Sequence, residues 1–164
     1  MNRRTFFRES VGVSVALGAV LSGTSESGLS FPSPGYDLVA IKGGEPDAMF
    51  DKGIDALGGM RMFVKRGQKV VVKPNIGWDV PPERAGNTNP KLVGRIIEHC
   101  LEAGAKAVYV VDHTCDEWQG CYANSGIKKV VNDSGGMLVP GHSENYYHDV
   151  TIAKGKVLSA AKEH

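Results

Sequence analysis

A chain of 164 residues is long enough for one domain with a core of its own. With 41% hydrophobic and 23% charged residues it reads as globular, which excludes the disordered and fibrous classes. The net charge of +1 comes without any basic run or basic helix interleaved with aromatics, so no nucleic-acid partner is indicated.

Residues 1–23, "MNRRTFFRESVGVSVALGAVLSG", have the layout of a secretion signal: a basic head, a weakly apolar stretch from Val11 to Leu21, then small residues. The apolar part is shorter than the roughly 20 residues that span a bilayer, so no stable membrane span is expected after cleavage. Arg3-Arg4 followed by Thr5-Phe6-Phe7 resembles the twin-arginine export signal. The resemblance implies the twin-arginine machinery as a partner and a periplasmic or extracellular destination, reached in the folded state. An uncleaved N-terminal anchor is the competing reading. Cleavage would take Arg3, Arg4, Arg8 and Glu9 from totals of 19 basic and 18 acidic residues, leaving 16 and 17. The slight positive charge therefore belongs to the signal.

Residues 24–36 are rich in Ser, Pro and Gly and read as a linker. The domain proper is expected over residues 37–164. "DLVAI" (37–41) is expected as a first strand, and Gly43-Gly44 then turns the chain toward a helix over 46–57, with Pro46 in its first turn. A short helical turn at 60–65 leads to "KVVVK" (69–73), three consecutive β-branched residues that predict a strand covered on both faces. Thr88-Asn89-Pro90 is a helix start, and that helix runs to about Ala103, stopped by Gly104. "AVYVVD" (107–112) is a second buried strand, followed by a loop, a helix over about 123–133 and a strand at 137–140. The order β-α-β-α-β-α-β predicts an α/β fold, a mostly parallel open sheet with flanking helices. Beyond it lie one or two extended segments around Lys154-Gly155-Lys156. They break off as though the domain continued, so the sheet is expected to be incomplete.

Ligands of such sheets bind outside the carboxyl ends of the strands. The residues there are Lys42-Gly43-Gly44, Lys73-Pro74-Asn75, Asp112-His113 and His142. Gly43 and Gly44 could offer backbone N–H groups to an anion, although no G-x-G-x-x-G or Walker pattern is present. Pro74 forces Lys73 into an extended conformation and so fixes its direction. Lys73 is either an anion-binding lysine or a strand-end lysine whose stem covers the core. Asn75 is either a ligand donor or a turn residue, and Asn87 and Thr88 read as helix-start residues. Asp112, His113, Cys115 and Cys121, with His142 or His148 further on, could supply oxygen, nitrogen and sulfur to a metal. A Cys115–Cys121 disulfide is the competing reading, favoured by an oxidising destination. Cys100 falls on the apolar helix face and reads as core. Trp118, Tyr122, Tyr146 and Tyr147 could wall a pocket.

The segments "GGMRMFVKRGQKVVVKPNIGW", "NTNPKLVGRIIEHCLEAGAKAVYVVDHT" and "CYANSGI" together resemble the prokaryotic family called domain of unknown function 362, over about residues 45–158. The ordered series carries the likeness: a strand ending in Lys-Pro-Asn, a Thr-x-Pro helix start, a strand ending in Asp and a Tyr-x-x-Ser-Gly segment. The resemblance implies no assigned reaction. Some members carry a four-iron cluster module with Cys-x-x-Cys-x-x-Cys runs, and this chain has none. Members also continue into a second half that this sequence does not reach. Three readings follow. The preferred one is an exported α/β domain in which Lys73, Asn75, Asp112, Gly43 and Gly44 bind a small anionic ligand, with a redox-linked role as its extension. The second is a protein holding a single metal or iron–sulfur cluster, with His113, Cys115 and Cys121 as ligands. The third is an inactive fragment of a larger domain.

Overall fold

The computed structural model describes residues 35–163. The signal at 1–23 and nearly all of the linker at 24–36 lie outside the described residues. Three strands build the main sheet: β1 (Lys69–Val72), β2 (Ala107–Val110) and β3 (Met137–Leu138). They lie in the order β1-β2-β3 and both pairs are parallel, with Val71 opposite Tyr109 and Tyr109 opposite Met137. The helices are α1 (Pro46–Ala56), α2 (Pro90–Glu102), α3 (Trp118–Asn124) and α4 (Ile127–Asp133). An antiparallel hairpin of β4 (His148–Thr151) and β5 (Ala160–Glu163) follows, around the expected Lys154–Lys156 turn. The α/β class with a parallel sheet and flanking helices is therefore the observed one.

Local chemistry explains most boundaries. The Asn89 side chain accepts from Lys91 N at 2.9 Å and Pro90 stands at the first helical position, so α2 starts where its capping signals place it. The helix expected over 123–133 is two helices. Gly126, at φ 75°, takes the left-handed conformation between them, which a residue with a Cβ adopts only at a cost. Glu117 caps the first piece by accepting from Gly120 N at 3.1 Å.

Two expectations fail. Residues 37–41 form no ladder with any strand; Ile41 packs over α1 instead, 3.6 Å from where a Cβ on Gly53 would stand. An apolar run needs a neighbouring edge to become a strand, and here Val39 and Ile41 lie against α1 while Leu38 points to solvent. Among the described residues, the sheet is also covered on one face only. α2 and α4 bury Val108 and Val110, while Val71 is 64% and Met137 43% exposed on the other side. The core is the layer between helices and sheet: Ile76, Val93, Ile97, Val108, Val110, Ile127 and Val131. Cys100 belongs to it, and burial raises its thiol pKa. α2 and α4 meet closely because Gly94 has no side chain; a Cβ there would stand 3.0 Å from Ser134 Oγ and 3.3 Å from Val130 Cγ2. Among the described residues no helix is long and apolar enough to cross a membrane.

α1 is held to α2 by charge. Arg95 Nε donates to Asp51 Oδ1 at 2.7 Å, and His99 Nε2 lies 2.7 Å from the same oxygen. The Arg95 bond, seconded by His99 and partly opposed by burial, lowers the Asp51 pKa below its usual 3.8. A carboxyl lowered in the fold stabilises it above the unfolded value, and that contribution disappears as the pH falls through the folded one. Thermal unfolding followed from about pH 5 to about pH 3 should therefore show a steeper loss of stability in the natural chain than in Asp51→Asn. Parallel curves for the two proteins would remove Asp51 from the acid response.

Candidate functional site

The carboxyl end of β1 runs into Lys73 and the buried Pro74, and the end of β2 into Asp112. Lys73 Nζ donates to Asp112 Oδ1 and forms an ion pair with it. The other carboxylate oxygen, Oδ2, accepts from Ile76 N at 2.7 Å. Asp112 is 5% exposed, whereas the Lys73 side chain is 68% exposed. A buried carboxylate is costly unless paired and hydrogen-bonded, and both of its oxygens are engaged here. Its backbone is gripped as well. Asp112 N donates to Tyr122 Oη at 2.9 Å, and that hydroxyl donates back to Asp112 O at 3.1 Å. Burial raises the Tyr122 pKa, so the phenol stays neutral and able to donate. Two strand ends, one loop and one helix therefore converge on a single aspartate.

Asn75 is close in sequence but turned to another task. Its N–H donates to Thr88 Oγ1 at 2.9 Å, its Nδ2 to Gly86 O at 3.0 Å, and its Oδ1 accepts from Gly77 N at 3.1 Å. Asn87 laces the same loop across to Trp78, accepting at 3.1 Å from its N–H and donating at 2.8 Å to its carbonyl. Of the alternatives for Asn75, the turn residue is the observed role, and Asn87 and Thr88 close this loop while Asn89 alone caps the helix. Gly43 and Gly44 turn the chain into α1. A Cβ on Gly43 would meet nothing within 4 Å and one on Gly44 only Met49, so neither joins Lys73 and Asp112.

The metal candidates differ in setting. His113 is exposed and meets Tyr147 edge to face at 6.1 Å. Cys115 is exposed, Cys121 is buried, and both are free thiols. Among the described residues no three His, Cys, Asp or Glu side chains are gathered to hold a metal ion.

A cleft of about 280 Å³ lies at the end of β3. Trp118 and Tyr122 of α3, Lys128 of α4, Leu138 of β3 and then Gly141 and His142 line it. The His142 ring lies flat against Trp118, with centroids 4.3 Å apart and planes 9° from parallel, and meets Tyr146 edge on at 5.3 Å. Two contacts join the cleft to the ion pair. Tyr122 lines the one and bonds the other, and a Cβ on Gly141 would stand 3.0 Å from Asp112 O. The sequence singled out Trp118, Tyr122 and His142 but missed Lys128. The only trace of that residue was its place just after the Ser-Gly break between two helices.

The model of the family described as a domain of unknown function, DUF362, matches residues 70–163. That range includes β1 from its second residue, β2, β3 and every residue of the ion pair and the cleft. No curated protein and no solved structure matches the chain.

Tyr122→Phe leaves the buried Asp112 N–H without a partner, which costs about 1–3 kcal/mol for a donor stranded inside a fold. Denaturant unfolding should show a loss in that range, and an unchanged midpoint would mean that the hydroxyl contributes nothing to holding the aspartate.

Proposed function

The chain belongs to the family of the domain of unknown function DUF362, and we propose that it is an exported domain binding a small anionic molecule at the carboxyl edge of its sheet. One observation carries the reading. An exposed ammonium is fixed at a strand end by a buried, fully bonded carboxylate, whose backbone is bonded to a tyrosine that walls a cleft with aromatic rings. Asp112 uses one donor of Lys73, and an ammonium has three. The remaining two can reach an anionic group without the lysine having to be ordered first, which lowers the entropic cost of binding. Trp118 and His142 offer the cleft a flat apolar wall, and Lys128 brings a second cation to it. A ligand with a carboxylate or phosphate at one end and a planar apolar body at the other matches this set. Asp112 positions Lys73 and has no oxygen free for the ligand.

Fluorescence titration of the chain with aromatic carboxylates such as nicotinate and indole-3-acetate, alongside inorganic phosphate, tests the reading. Binding should quench Trp118, and Trp118→Phe should abolish that quench while Trp78 still reports. Lys73→Met should weaken binding by about 10-fold or more, the usual worth of a charge-assisted hydrogen bond. Affinity that survives both substitutions would sink the proposal.

The export half of the reading rests on Arg3-Arg4. Replacing both by lysine should leave the uncleaved precursor in the cytoplasm, as fractionation of the expressing cells would reveal. Undiminished export of that variant would mean another route.

A further inference from the structure

We propose that Cys115 and Cys121 are a thiol–disulfide pair, closed by exchange with a low-molecular-weight disulfide of the glutathione type. Both residues converge on Gly77. The Gly77 carbonyl accepts from Cys115 N at 2.9 Å, from Asp116 N at 3.0 Å and from the Cys121 thiol at 3.5 Å. The Cys115 sulfur lies 3.5 Å from where a Cβ on Gly77 would stand, so the two sulfurs flank one residue that carries no side chain. The Asp116 N–H, one peptide bond beyond Cys115, therefore shares its acceptor with the Cys121 thiol. The buried thiol is thus packed against the backbone that carries the exposed one. Cys115 stands on a loop outside regular structure, free to change rotamer, while Cys121 is fixed within α3.

The chemistry assigns an order to the two sulfurs. Cys115 is exposed and attacks first as a thiolate. Its sulfur bonds to one sulfur of the oxidant, the oxidant's S–S bond breaks, and one glutathione thiolate leaves. Cys121 then gives its proton to solvent, its sulfur attacks Cys115 and the second glutathione thiolate leaves. Two protein thiols are oxidised and one glutathione disulfide is reduced to two thiols. A mixed disulfide on the exposed Cys115 therefore precedes closure by the buried Cys121. The third thiol, Cys100, lies in the core beneath α2 and takes no part.

The full chain incubated with mixtures of oxidised and reduced glutathione supplies the test. The thiol titre after denaturation should fall from three to one, the mass should drop by two hydrogens, and digestion should yield a peptide pair linked through Cys115 and Cys121. Cys115→Ser, at an exposed position, should keep both remaining thiols and take up no glutathione. Cys121→Ala should trap the glutathione adduct on Cys115. A lasting adduct on Cys115 in the unsubstituted chain, three unreacted thiols, or a Cys115-linked dimer on a non-reducing gel would each overturn the assignment.

Discussion

The arrangement depends on one buried carboxylate. Asp112 stands where β2 ends, and taking its charge out of water is tolerable only because three residues meet it. Lys73 and Ile76 reach its side chain, and Tyr122 holds its backbone from both sides. Each comes from a different part of the chain: the end of β1, the loop beyond it and α3. The aspartate therefore fixes the distance between two strand ends and the approach of a helix to them. An apolar residue of similar size could fill the same space, but it could not tell Lys73 where to stand.

The loop after β1 shows why such a site can sit on irregular backbone. Residues 75–88 have little core beneath them, yet Asn75, Asn87 and Thr88 tie the segment to itself with side-chain hydrogen bonds. The Gly77 carbonyl adds ties to the loop that follows Asp112. Here these bonds stand in for a ladder, keeping Ile76 N aimed at the carboxylate. The cleft at the end of β3 is attached to the same framework, because Tyr122 lines it and bonds the Asp112 backbone, and Gly141 lies close to the Asp112 carbonyl.

How far the sequence could be read varied with how local the signal was. α2 was legible nearly to the residue, because a cap, a proline and a terminal glycine are written within its own span. The β1 and β2 strands were legible as apolar runs, but not their coverage: Val70 and Val71 look alike in sequence, and only the side on which α2 and α4 pack makes Val71 an outer residue. Residues 37–41 were misread for a related reason, since an apolar run does not say whether a strand or a helix will take it up. At the site, Lys73 and Asp112 were found because strand ends can be recognised. The bonds of Asn75 to Gly86 and Thr88 could not be read, because they close a loop that leaves no sequence pattern. Gly43 and Gly44 drew notice for a turn that leads only into α1.

The sequence by itself determined the class of fold, the order of most elements and the chemical types available at the strand ends. These follow from spacing, capping and breakers, which act over a few residues. Tertiary structure alone decided that Lys73 faces Asp112, that a single tyrosine hydroxyl holds the aspartate's backbone, and that Trp118 stacks on His142. Those are contacts between residues far apart along the chain, and their geometry is set by how the helices dock on one face of the sheet.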